Sequence, residues 1–127
     1  GFNPKFFIGG KVMVNIYDTA NQMEEDLRQT NEFIALKGAY ARLKQDPLAF
    51  TMFKKFQQHQ SEFQKKQTDG SLKDSDLEEL KKLGEQIEKN PAIMELMTKE
   101  QQLAKLMDEV NQIMFKPINE LYQDQQN

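Results

Sequence analysis

The chain has 127 residues, 29% of them charged and 38% hydrophobic, with a formal charge of −3, a pI near 5.2 and a mean hydropathy of −0.78. That length fits one domain. The absence of cysteine excludes a disulfide framework, a thiolate nucleophile, an iron–sulfur cluster and a cysteine zinc site, and the acidic balance argues against a nucleic-acid footprint built on basic charge.

The first residues differ from the rest. Residues 1–12 hold one proline and three glycines and show no helical period. They read as a non-native or flexible leader, with Met13 as the natural start. The apolar residues between Phe2 and Tyr17 are interrupted by Pro4, Lys5, Gly9, Gly10 and Lys11, short of the roughly 20 residues a membrane span needs. Phe6-Phe7-Ile8 is also too short for a signal-peptide core. The expected location is the cytoplasm.

From Met13 onward the sequence reads as helix. Glu, Lys, Gln, Leu and Met dominate, and these are good helix formers. The first predicted helix covers Ile16 to Arg28, with Asn15 as its cap and Asp18 favouring its positive end. Ile16, Ala20, Met23 and Leu27 share one face. Thr30 caps a second helix over Asn31 to Lys44, whose face is Phe33, Leu36, Tyr40 and Leu43. Asp46-Pro47 opens a third, because Asp accepts the free N–H groups and Pro at the first position loses no needed bond. Ala49, Met52, Phe53, Phe56, Gln60 and Phe63 cover ~100° of that helix, a core-facing stripe. It ends near Gln67, before the Thr68-Asp69-Gly70-Ser71 loop.

Asp74 or Ser75 is expected to cap a fourth helix, running to about Lys89 with Leu77, Leu80, Gly84 and Ile87 on one face. Asn90-Pro91 then repeats the cap-plus-proline start. The last helix runs from Pro91 towards Tyr122, with a kink expected at Pro117; residues 123–127 read as a polar tail. Leu43-Lys44-Gln45-Asp46-Pro47 is echoed by Ile87-Glu88-Lys89-Asn90-Pro91. Common helix-break chemistry accounts for the echo as well as a duplication would. The expected fold is all-α, an elongated bundle of five helices with a long C-terminal helix.

That last helix is apolar over about half its circumference, where a one-sided helix needs ~100°. Two readings fit. Either it is buried on both sides within one chain, or one side meets the core and the other a second copy. The second is favoured, because an exposed face this apolar invites association. Ile93, Met97 and Ala104 are assigned to the core, and Leu103, Leu106, Val110 and Ile113 to the dimer interface. Glu100 and Asn111 fall inside the arc, where polar residues can set register.

No residues name a reaction. His59 is the only histidine; with Glu62 three residues on, it would supply two metal ligands and lacks a third. Acidic clusters such as Glu24-Glu25-Asp26 read as solvated faces. No catalytic residue, metal or other cofactor is expected. Lys54 and Lys65 share a face of the third helix, as do Lys55 and Lys66, so a small basic ridge is the alternative feature to weigh.

Val14-Asn15-Ile16-Tyr17-Asp18 with the Ala20/Leu27 face, Asp46-Pro47 before a Phe-rich helix, and Asn90-Pro91 before the last helix resemble the YlbF/YmcA family of Gram-positive bacteria. The segment Glu109-Val110-Asn111-Gln112-Ile113-Met114-Phe115-Lys116-Pro117-Ile118 is most similar to its YheA-type branch. The resemblance runs from Val14 to Tyr122. It implies an all-helical fold that dimerises, and no catalytic residues. Better-understood branches are accessory factors in a complex that tunes an endoribonuclease, and through it messenger RNA processing, competence, sporulation and biofilm formation. The iron–sulfur binding of some members rests on cysteines absent here. The expected function is therefore that of a non-enzymatic regulatory adaptor, a homodimer working through helix-mediated contacts with a protein partner not named by the sequence. The alternative is a nucleic-acid-binding accessory protein that uses the third-helix lysines.

Overall fold

The computed structural model describes residues 5–8 and 11–123, with side chains from Val14 onward. Five helices carry the fold: α1 (Ile16–Gln29), α2 (Asn31–Lys44), α3 (Pro47–Asp69), α4 (Asp74–Glu88) and α5 (Pro91–Gln123). The all-α expectation holds, with each boundary within about two residues. Before α1, β1 (Lys5–Ile8) and β2 (Lys11–Val14) pair antiparallel, Lys5 opposite Val14 and Ile8 opposite Lys11. These strands correct the reading of Met13 and Val14 as helical. The missed signal was two short apolar runs separated by Gly9-Gly10, a sequence signature of a two-residue hairpin. The leader assigned to residues 1–12 lies partly outside the described residues, and the tail beyond Gln123 wholly so.

Helix starts follow the expected capping chemistry, with one exception. The Asn15 side chain accepts from the Asp18 N–H at 3.1 Å, Thr30 from Phe33 at 3.2 Å, Asp46 from Ala49 at 3.2 Å and Asn90 from Ile93 at 3.1 Å. Each satisfies a backbone donor that the helix itself leaves free. At α4, Asp74 and Ser75 are already helical, and Lys73 holds the cap position. A lysine side chain cannot accept, so Asp76 reaches back and takes the Lys73 N–H at 3.0 Å. The α3–α4 loop turns at Gly70, whose φ of +78° falls in the left-handed region that glycine enters without steric cost.

The core lies where the two proline corners meet. Leu43, Ile87, Ile93 and Leu96 are the largest fully buried side chains, joined by Ala39, Ala49 and Phe53. The two echoed segments thus do the same work. Leu43 and Ile87 each precede a corner, Ala49 and Ile93 each follow one, and all four enter one cluster. Around it α2 packs on α5 and α3 on α4. The α2–α5 pair is antiparallel: Arg42 is ion-paired with Glu95 at one end, and Glu32 shares a cleft with Lys105 and Glu109 at the other. At the far end of the α3–α4 hairpin, Lys66 donates to Asp76 at 2.8 Å.

The Leu43 side chain is fully buried, while Leu48 is 83% exposed. Leu43→Ala should destabilise the fold by ~2–5 kcal/mol, because it removes apolar contacts and leaves a cavity. Leu48→Ala should stay within ~0.5 kcal/mol, as surface changes usually do; urea titration of both variants checks this.

Asp76 titrates below its ordinary range, chiefly because Lys66 and then the Lys73 N–H donate to its carboxylate. Its folded value is depressed, so its stabilisation is complete above the ordinary aspartate range. That stabilisation is lost as pH falls through the lower folded value. Asp76→Asn should lower the melting temperature at neutral pH and flatten its fall in acid, read by circular dichroism from neutral pH downwards.

Candidate functional site

α5 outruns the rest of the protein. Its 33 residues span ~50 Å, whereas the 14 residues of α2 cover only ~21 Å of it. Because α2 begins at Asn31 and runs antiparallel, its cover ends near Val110. Every residue from Asn111 to Gln123 is exposed. This segment is nevertheless apolar: Ile113 is 71% exposed, Leu121 68%, Phe115 53% and Ile118 49%. Pro117 lies inside the continuous helix, and its missing N–H leaves a carbonyl that water can reach in this uncovered stretch.

The exposed residues continue the core-facing stripe. Leu103, Met107, Val110, Met114, Ile118 and Leu121 follow one another at spacings of three or four residues, the repeat of a helix seam. Leu103, Leu106 and Val110 are half-buried against the chain's own helices, and Ile113 is not. Of the residues assigned to the monomer core, Ile93 is buried and Met97 half-buried, whereas Ala104 is exposed. Ala104 lies on the Ile93 side of α5 but about three turns further along, past the buried cluster that encloses Ile93 and Leu96. Leu96 was overlooked in the sequence, although it lies three residues after Ile93 on the same stripe. Glu100 and Asn111 are both exposed; Glu100 borders a groove and Asn111 begins the uncovered stretch.

α1 repeats the pattern on a smaller scale. It has a well-formed apolar face and buries no residue fully. Its Ala20, Met23 and Leu27 face Leu106, Met107 and Val110 across an open cleft of about 320 Å³, with Glu24 and Asp26 at the edge. Arg28 donates to Glu24 at 2.7 Å and holds that carboxyl below its ordinary range.

A second groove opens on another face, between α2, α3 and α5. Its volume is about 360 Å³, its floor is Leu36, Phe53 and Leu96, and Phe33, Lys37 and Tyr40 stand along α2. Beside it the Tyr40 and Phe50 rings meet at 5.8 Å. Lys44 lies 4.8 Å above the Tyr40 ring and Lys54 4.6 Å above the Phe50 ring. This aromatic–lysine cluster was not legible as such, because Tyr40 and Phe50 come from separate helices.

Candidates for chemistry are sparse. His59 is partly buried, and Glu79 of α4, rather than Glu62, faces its Nδ1 at 3.9 Å. Lys55 and Lys82 line the same small cleft. Among the described residues no three His, Asp or Glu side chains are placed to hold a metal ion. The lysine ridge of α3 is interrupted, with Lys66 tied to Asp76 and Glu79 set beside Lys55. Among the described residues no helix is long and apolar enough to cross a membrane.

These features define a class: a small helical protein whose distinctive surfaces are uncovered apolar helix faces. The chain belongs to the YlbF/YmcA family; residues 16–119 match the family model described as "Control of competence regulator ComK, YlbF/YmcA". A relative from Latilactobacillus sakei subsp. sakei, a UPF0342 protein, is 50% identical over 111 residues, covering 87% of this chain and 97% of its own. Among solved structures, yheA from Bacillus subtilis superposes with a TM-score of 0.68 at 31% identity, covering 86% of this chain and all of that one. Bacillus subtilis RicA, solved in complex with RicF, shares the fold with a TM-score of 0.61 at 18% identity, over 83% of this chain and 94% of that one. The YheA-type resemblance read from the sequence therefore holds, and the family is a regulatory one.

Among the described residues, His59 and Glu79 offer two possible ligands and no third. Added Zn²⁺ should leave the melting temperature of wild type and His59→Ala unchanged within scatter. A stabilisation by zinc that disappears in the variant would reveal a metal site there.

Proposed function

We propose that this chain is a non-enzymatic cytoplasmic adaptor, active as a homodimer, that presents helix faces to a protein partner. The observation that carries the reading is the uncovered end of α5. A stripe that packs against the chain's own helices as far as Val110 continues through Met114, Ile118 and Leu121, which are exposed among the described residues. Burying apolar surface is worth roughly 25 cal/mol per Å², so a long helix face of this kind favours association. A second copy brings the same face, and twofold pairing lets one patch meet its own image.

In this reading Leu103, Leu106, Val110 and Ile113 mark the interface, extended by Ile118 and Leu121, and the α1–α5 cleft receives part of the second chain. Glu100 and Asn111 would act on register from its edges. Membership in a regulatory family supports a role through contacts rather than catalysis. The complex of RicA with RicF supports a protein as the partner, with a link to RNA processing or developmental regulation following from the family.

Light scattering tests the dimer. Wild type should give about twice 14.9 kDa, and Ile118→Asp should shift the mass towards one chain without unfolding it, since an uncompensated charge in an apolar contact is strongly unfavourable. A wild-type mass of one chain at high micromolar concentration would remove the proposal. Affinity purification under salt tests the adaptor: protein partners should survive high salt, whereas RNA held through phosphates should be released.

A further inference from the structure

The groove between α2, α3 and α5 is apolar at its floor and has a cluster of lysines beside its Tyr40 wall, on a chain whose net charge is −3. Leu36, Phe53 and Leu96 form the floor. Lys37 lines the groove, Lys44 stands over the ring of Tyr40, which also lines it, and Lys54 stands over the neighbouring Phe50 ring; no carboxylate pairs with any of the three among the described residues. Lys37 and Lys44 lie seven residues apart on α2, two turns along the same face, with Tyr40 between them. Lys54 of α3 lies across the Tyr40–Phe50 ring pair. Of the acidic residues nearby, Glu95 is occupied by Arg42, and Glu100 lines the groove from α5, whereas the lysines stand on α2 and α3.

We infer that this groove is the docking site for an acidic amphipathic helix of a partner protein. The inference rests on the adaptor reading and names the chemistry of its partner. A helix lying in such a groove inserts apolar side chains at i, i+3, i+4 and i+7 and turns its flanks to the borders. Carboxylates on one flank would meet the three lysines, none of which is paired with a carboxylate among the described residues. Complementary charge of this kind sets orientation and excludes wrong partners more than it adds affinity.

Two other occupants fit less well. Single-stranded nucleic acid binds by stacking bases on free aromatic faces along a positive track. Here Lys44 and Lys54 already cover ring faces, and Glu100 interrupts the track. A second copy of this chain is accommodated by the α1–α5 cleft and the end of α5, on different residues from the groove.

The test uses the full chain and a fluorescein-labelled designed peptide of about 18 residues, long enough to hold helical structure, with a leucine face flanked by glutamates. A control peptide carries lysines in place of the glutamates, and a short oligouridylate is a third probe. By fluorescence anisotropy the acidic peptide should bind at least about tenfold more tightly than the basic one, a difference of ~1.4 kcal/mol. The double variant Lys37→Glu/Lys44→Glu should weaken it by about tenfold or more, and Lys54→Glu should weaken it independently. All three positions are exposed, so melting curves should match wild type.

Absence of binding by the acidic peptide at high micromolar concentration overturns the inference. So does equal binding of both peptides, indifference to the lysine variants, or displacement by oligouridylate. Light scattering on the same variants should still report the wild-type mass. A lowered mass would place a second copy in the groove and overturn the inference, whereas a monomeric wild type would instead count against the dimer alone.

Discussion

The two proline corners hold this fold together. At Asp46-Pro47 and Asn90-Pro91 one side chain accepts the N–H three residues on, and the proline needs no acceptor, so the chain changes direction with its backbone donors satisfied. Leu43 and Ile87 before the corners and Ala49 and Ile93 after them then fall into one cluster. The echo in the sequence is thus a physical one. Two segments with the same solution to ending one helix and starting another bury their apolar residues against each other.

The placement of that core determines what is left uncovered. It sits at the ends of the helices rather than along their middles, and the elements leaving it differ in length. The α3–α4 hairpin closes on itself through Lys66 and Asp76. α2 accompanies α5 for under half of its length and ends. Among the described elements none replaces it, so the apolar seam of α5 passes from core to surface without changing its sequence character. The same mismatch explains α1, whose apolar face borders a cleft and buries no residue fully.

The uncovered surfaces differ in charge. The α1–α5 cleft is edged by Glu24 and Asp26, and the α2–α3 groove has Lys37 in its lining and Lys44 and Lys54 beside it, none with a carboxylate partner among the described residues. Surfaces of opposite character on separate faces suit a protein that must assemble with its own copy and with something else at once. The polar composition is consistent with this. A chain with few large buried side chains has little core to spare, and much of its remaining large apolar surface, from Ile113 to Tyr122, stands on the uncovered end of α5.

The sequence by itself determined the five helices, four of their caps, the two corners and the excess of apolar surface on the last helix. Those features depend on neighbours within one or two turns, where periodicity, proline position and side-chain hydrogen bonding act locally. It also carries the hairpin signature before α1, two short apolar runs on either side of Gly9-Gly10. The tertiary structure alone decided which part of the α5 stripe is spent on the core. That depends on how far the core cluster and α2 reach alongside it, so Ala104 and Ile113 are left exposed. It alone brought Glu79 to His59, and Tyr40 with Lys44 to Phe50 with Lys54. These pairs lie on different helices, and their meeting follows from the angle at which the Asp46-Pro47 corner and the Gly70 turn fold the helices together, which no local pattern encodes.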